Sequence, residues 1–171
     1  MQVFHYCPDC GAALRVPDPS ERLVVQSCER CGADHFKNAK PAAGALIVAN
    51  GRVLLGRRAT APGVGQWDIP GGFLLPWEHP VDGVRREVAE ETGLLIEADG
   101  IFSLAMDTYA GGYSVLNIFY LAHISGGAVR PGDDLATLAW FDPEELPDAL
   151  AYESCREVLR AWRAKERAAK I

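Results

Sequence analysis

Residues 70–95 read PGGFLLPWEHPVDGVRREVAEETGLL, and the order of residue types in this stretch decides the fold. A Gly71-Gly72 turn leads into a loop carrying Glu78, then into a helical pattern that holds Arg86, Glu87, Glu90 and Glu91. On a helix, Glu87, Glu90 and Glu91 fall within about 100° of arc. Val81, Val84 and Val88 occupy the adjoining arc and supply a face to bury. Like charges at these spacings repel, and Arg86, four residues before Glu90, offsets them locally. The plain reading is a solvated acidic face. The chemical reading is a divalent cation, because hard ions such as Mg²⁺ or Mn²⁺ take carboxylate and water oxygens and recruit phosphate oxygens from a substrate.

Around this stretch the chain has 171 residues, enough for one ordinary domain and a small appendage. Apolar residues make up 49% and charged residues 23%, as in globular proteins. A net charge of −6 argues against nucleic acid as the main partner, which calls for a basic footprint. No charged-then-apolar leader precedes the first cysteine and no apolar run has membrane-spanning length, so a cytoplasmic location is expected.

Four of the five cysteines pair off as Cys7-Pro-Asp-Cys10-Gly and Cys28-Glu-Arg-Cys31-Gly. Their spacing suits a four-cysteine Zn²⁺ site, in which soft thiolates fill every position and leave none open for catalysis. The glycine after each pair suits a tight turn with φ > 0. Two disulfides are the alternative, which a cytosolic setting disfavours. His5 and His35 lie close enough in sequence to substitute as ligands, and the plainer reading makes them surface residues. Residues 1–38 are therefore expected to form a zinc ribbon of two knuckles joined by a short hairpin, with Leu23-Val24-Val25 as a strand and metal binding supplying the folding energy. Four basic residues (Arg15, Arg22, Arg30, Lys37) face five acidic ones (Asp9, Asp18, Glu21, Glu29, Asp34) there, a balance that disfavours nucleic acid.

Residues 39–171 carry the main domain. Ala45–Ala49 and Val53–Leu55 flank Asn50-Gly51, a two-residue hairpin signal. Arg57 and Arg58 close the second strand, where one can reach an anionic substrate and the other sits in solvent. Trp67 reads as a packing residue. Residues 101–109 and 113–124 read as an antiparallel pair around Ala110-Gly111-Gly112, and 138–141 as a further strand. A final helix over 151–168 carries the apolar stripe Cys155, Val158, Leu159 and Trp162. This mixed order predicts an α/β fold with a sheet between helices.

Gly72, Glu78 and the run Arg86-Glu87-Val88-Ala89-Glu90-Glu91-Thr92-Gly93-Leu94 resemble the Nudix box at each of its fixed positions. The resemblance implies an α/β/α sandwich with a mixed sheet that hydrolyses a phosphoanhydride with Mg²⁺ or Mn²⁺. It implies Glu87, Glu90, Glu91 and the Gly72 carbonyl as metal ligands, Arg86 as the residue that orients the carboxylates, and Glu78 as their support. Asp134 or Glu153 is a candidate for a further acid from a later loop. Trp77 stands where relatives usually have glycine, and Leu75 where many have an acid. Because tryptophan does not adopt φ > 0 cheaply, this loop is expected to take a different path, with Trp77 stacked on a base, in an interface, or packed beneath the loop.

A ribbon joined to such a domain resembles the NADH, ADP-ribose and FAD pyrophosphatase groups. The NADH group has a Gln-Pro-Trp signature that residues 101–119 lack, so strict NADH specificity is not expected. Tyr109 resembles the tyrosine of dinucleoside-polyphosphate hydrolases; Tyr109 and Tyr113 either stack on adenine or pack across the hairpin. The leading expectation is hydrolysis of ADP-ribose, FAD or an NAD(H)-like diphosphate to a nucleoside monophosphate. The alternatives are nucleoside triphosphate or dinucleoside polyphosphate hydrolysis, a non-catalytic nucleotide sensor, and capped RNA as a substrate. The resemblance also implies a homodimer.

Overall fold

A computed structural model of the chain describes residues 3–16, 18, 25–109 and 111–169. They divide into two units, one within residues 1–40 and 108–114, the other within 41–107 and 115–171.

The shorter unit is built on two matching turns. Cys7 N–H donates to Ala12 O and Gly11 N–H to Cys7 O, while Cys28 N–H donates to Ala33 O and Gly32 N–H to Cys28 O, all at 2.8 Å. Gly11 and Gly32 sit at φ 72° and 74°, the left-handed region that glycine enters without strain. Strands β1 (Val25–Ser27) and β2 (Asp34–Phe36) pair antiparallel, Val25 opposite Phe36, and carry the second turn at their tip. Of the expected strand Leu23-Val24-Val25, Val25 lies in β1 and the other two residues lie outside the described ones. Gln26 is buried but satisfied: its amide accepts from Phe4 N–H and donates to Phe4 O, both at 3.0 Å, and donates to Arg15 O at 3.1 Å.

In the larger unit, β3 (Lys40–Ala49) turns at Asn50 (φ 51°) and Gly51 (φ 72°) into β4 (Arg52–Arg58), placing Val48 opposite Val53. Two positive φ values make the hairpin turn whose twist matches the strands. Two short strands follow, β5 (Trp67–Asp68) and β6 (Gly71–Phe73), then helix α1 (Pro80–Thr92). Long strands β7 (Leu94–Thr108) and β8 (Ser114–Gly127) precede β9 (Leu135–Phe141) and helix α2 (Glu153–Ala168). The sheet order is β5-β4-β3-β8-β7, with β6 also on β3 and β9 also on β4.

Side chains alternate across this sheet. Leu46, Val53 and Leu55 pack with Cys155, Val158, Leu159 and Trp162 of α2, whereas Ala45, Ile47 and Leu54 pack with Val84 and Val88 of α1. A strand's period of two thus feeds two cores, and the result is an α/β/α sandwich. Among the described residues no helix is long and apolar enough to cross a membrane.

Candidate active site

Helix α1 has both ends defined by its sequence. His79 caps the start, its Nδ1 accepting from Val81 N–H at 3.3 Å, and Pro80 occupies the first turn, where its missing N–H costs nothing. Gly93 ends the helix at φ 71° and returns its N–H to Ala89 O. The carbonyls left over at that end accept from a following loop: Ala128 N–H meets Gly93 O at 3.2 Å, Arg130 meets Thr92 O at 2.8 Å and Gly132 meets Glu91 O at 2.9 Å.

Arg86 is the centre of the polar face. Its Nε and Nη2 grip the two oxygens of Glu78 at 2.8 and 2.9 Å, a bidentate pair. Its Nη1 reaches Glu87 at 2.8 Å and Glu90 at 3.1 Å, and Nη2 also donates to Phe73 O at 3.3 Å. With five N–H donors on a guanidinium, every one has an acceptor. The bonds from Arg86, with that from Leu75 N–H, hold the Glu78 carboxyl down at about 2.

The three acids on the helix differ in burial. Glu90 is exposed, Glu87 half-buried and Glu91 buried. Burial pushes the Glu87 carboxyl up against the pull of Arg86. Burial pushes Glu91 up to about 8, despite an N–H bond from Gly71 at 2.9 Å, and the charges of Asp68 and Glu87 add to the rise. Both glycines of the turn are needed at close range. A methyl group on Gly72 would lie 2.5 Å from the Glu87 carboxylate, and one on Gly71 would lie 2.3 Å from Ala43 O. Three carboxylates on one guanidinium, with Glu91 on the same helix, leave excess negative charge on hard oxygen donors, the donor chemistry that fits Mg²⁺ or Mn²⁺.

Behind the turn stands a group that the sequence reading did not single out. Asp68 is buried; it accepts from Arg58 Nη1 at 3.0 Å, from Ile69 N–H at 2.9 Å and from the Cys155 thiol of α2 at 2.9 Å. Desolvation raises the Asp68 carboxyl and pushes the Cys155 thiol up well beyond its usual range. Its partners lie 10 and 87 residues away, so no local pattern announces it.

The remaining expected residues are placed as follows. Arg57 is exposed and donates to Gly65 O at 2.8 Å, whereas Arg58 is tied to Asp68 and Pro62 O. Asp134 lies on the loop between β8 and β9 and accepts from Ala59 N–H through its backbone carbonyl at 2.7 Å. Glu153 opens α2, where Arg156 approaches it at 3.4 Å. Tyr109 and Tyr113 stack on each other, centroids 5.7 Å apart, with Lys40 over Tyr113 at 4.2 Å; this is packing across the hairpin. Trp67 packs edge-on against Phe141.

Trp77 departs from expectation. The loop keeps the turn that a glycine would give: Glu78 N–H donates to Leu75 O at 3.2 Å, Pro76 is second in the turn, and Trp77 is third at φ 68°. The indole is fully exposed, not packed beneath the loop. The bonds that Glu78 makes to Leu75 N–H and to Arg86 hold the turn and override the steric preference of tryptophan.

In the shorter unit the sulfurs of Cys7, Cys10, Cys28 and Cys31 converge within 4.8 Å of one another, and none forms a disulfide. Cys7 lies 3.7 Å from Cys31 and Cys10 lies 3.6 Å from Cys28. Tetrahedral Zn²⁺ at ordinary Zn–S lengths sets sulfurs about 3.8 Å apart, so the cluster fits that ion. N–H groups, that of Cys31 foremost, draw the Cys28 thiol down to about 7, whereas, against an N–H bond from Ala33, the Cys10 and Cys28 thiols push that of Cys31 up to about 12. His35 is not an idle surface residue: its Nε2 lies 3.2 Å from Cys7 Sγ.

Comparison with known proteins agrees with this architecture. A family model described as the NUDIX domain matches residues 38–162. The NAD-capped RNA hydrolase NudC of Vibrio atlanticus is 28% identical over 148 residues, covering 86% of this chain and 52% of the relative. The ADP-ribose pyrophosphatase of Methanocaldococcus jannaschii is 32% identical over 105 residues, covering 60% of this chain and 61% of the relative. The chain thus spans between half and two thirds of the length of these two proteins. The crystal structure of a NUDIX hydrolase from Nitrosomonas europaea superposes with a TM-score of 0.81 at 25% identity, covering 96% of this chain and 93% of that one. With the family's domain matched over most of its length and its box carried on α1 and the preceding turn, the chain belongs to the Nudix family.

Proposed function

We propose that the protein is a divalent-metal-dependent hydrolase that cuts the pyrophosphate of a nucleoside diphosphate linked to another moiety, of the ADP-ribose, FAD or NAD(H) kind, and releases a nucleoside monophosphate. The observation that carries this reading is the carboxylate cluster, in which one saturated guanidinium spaces Glu78, Glu87 and Glu90 while Glu91 is buried beside them. A sensor that only bound nucleotides would gain nothing from burying an acid beside Asp68 and Glu87. The names of the relatives, an ADP-ribose pyrophosphatase and an NAD-capped RNA hydrolase, support a diphosphate-linked nucleotide as substrate.

In this reading Glu87, Glu90 and Glu91, with the Gly72 carbonyl, hold Mg²⁺ or Mn²⁺. The bound ion would neutralise the diphosphate and lower the pKa of water for attack on phosphorus. Arg86 sets the spacing of the acids, and Glu78 holds Arg86 in place. Gly72 leaves room for the Glu87 carboxylate against the backbone. Cys7, Cys10, Cys28 and Cys31 hold a structural Zn²⁺, with His35 beside Cys7.

The test is release of nucleoside monophosphate from ADP-ribose, FAD, NADH, diadenosine polyphosphates, nucleoside triphosphates and NAD-capped RNA, with Mg²⁺ and with Mn²⁺. The native protein is expected to turn over a diphosphate-linked compound, and Glu90→Gln to lose that activity. Nucleotide binding without turnover of any compound would sink the reading.

A further inference from the structure

Between Gly72 and Glu78, two residues of the proposed site, three large apolar side chains stand in solvent: Phe73 at 37% exposure, Leu75 at 55% and Trp77 at 102%. Trp77 also takes a left-handed backbone, φ 68°, that crowds any β-carbon. Glycine would hold this turn with less strain and without displaying an indole. Backbone strain of this kind persists where the surroundings fix it, and it clusters at ligand sites. The surroundings here do fix it. Glu78 accepts from Leu75 N–H at 2.9 Å, and Arg86 holds Glu78 by two bonds and Phe73 O by a third. The turn that carries the indole is therefore tied, through Glu78, to the guanidinium that also touches Glu87 and Glu90.

Phosphates and a metal ion have no use for apolar surface, whereas a planar heteroaromatic ring does. We infer that Trp77 is the platform on which the base of the nucleotide substrate stacks, a substrate-binding residue of the site. The inference rests on the hydrolase reading above. Stacking on an exposed indole tolerates any base, since each has a π face, so Trp77 would tighten binding of nucleotides without choosing among them.

Two variants test it. Trp77→Gly is expected to fold with an unchanged or higher Tm, because the strain is relieved. Its KM for ADP-ribose should rise about tenfold or more, with kcat within about twofold of native, and Trp77→Phe should fall between. A binding readout runs beside this one. Trp67, Trp140 and Trp162 are half-buried or buried, so AMP should quench the exposed tryptophan emission of the native protein saturably and leave the emission of Trp77→Phe nearly unchanged. An unchanged KM in Trp77→Gly, a loss confined to kcat, or a changed oligomeric state with KM intact would overturn the inference. If the native protein hydrolyses no nucleotide, the hydrolase reading fails on its own, and the AMP quenching still decides whether Trp77 stacks.

Discussion

A methyl group on Gly72 would meet the Glu87 carboxylate at 2.5 Å, and the displaced carboxylate would carry the spacing of the cluster with it. Gly72→Ala should therefore keep its far-UV circular dichroism and lose on the order of 10²-fold in kcat/KM, the usual cost of a misplacement near 1 Å. Arg86→Lys swaps a five-donor fork for three donors on a point charge. It should weaken Mn²⁺ binding by roughly 10–100-fold, read by titration calorimetry. Glu91 gives a pH signature in the metal-free protein. Its carboxyl sits near 8 when folded and near 4.5 otherwise, so the folded state holds the extra proton between those values. Stability must then fall as pH rises through that window. Thermal melts in EDTA from pH 5 to 8 should show the decline, with Mg²⁺ flattening it and Glu91→Gln removing it. At this scale the acids of residues 87–91 were readable because helix geometry alone puts them together. Asp68 was not, since its partners Arg58 and Cys155 are joined to it only by folding. For Trp77 the exposed alternative held, and the path of its loop was misread because a local steric preference was set against bonds from Arg86 and Leu75 to Glu78 that the local sequence does not display.

Elements with a local pattern were legible, including the strands expected at 113–124 and 138–141, which lie in β8 and β9, and the shortest paired strands were not. The Asn50-Gly51 hairpin and the stripe of α2 appear where local pattern puts them. Strands β5 and β6 are two and three residues long and owe their form to β4 and β3. Strand β7 starts at Leu94, seven residues before the expected start, because the chain enters the sheet as soon as Gly93 ends the helix. The tie between β5 and α2 through Asp68 makes its own prediction. Asp68→Ala would leave the Arg58 guanidinium, 10% exposed, without its counter-charge. A loss of about 3–5 kcal/mol is expected, measured as a shift in the urea midpoint, although Asp68 is outside the helix that carries the acids.

At the scale of the molecule, the two units have separate cores. Cys7, Leu14 and Cys28 form that of the shorter one, and the two apolar layers around the sheet form those of the larger. So small a cluster among the described residues leaves little apolar burial to hold a fold, and a metal on its four cysteines would supply the difference. Adding Zn²⁺ to metal-free protein should raise amide protection at Cys7, Gly11, Cys28 and Gly32, whose N–H groups are bonded in the two turns, while protection of β3 and β4 changes little; hydrogen exchange followed by mass spectrometry would read both. The class of fold was visible from the alternation of strand and helix patterns, and the layering followed once period-two strands met two apolar helices. The thiol of Cys155 bonded to Asp68 has a consequence for the order in which the protein is made. Chains leave the ribosome from the N-terminus at about 5–20 residues per second, so residues 70–95 emerge well before α2. A nascent chain that stops short of Glu153 holds every acid of the cluster but neither the helix that covers one face of its sheet nor the thiol that meets Asp68. The acids of the site are thus made before the helix that covers the sheet behind them.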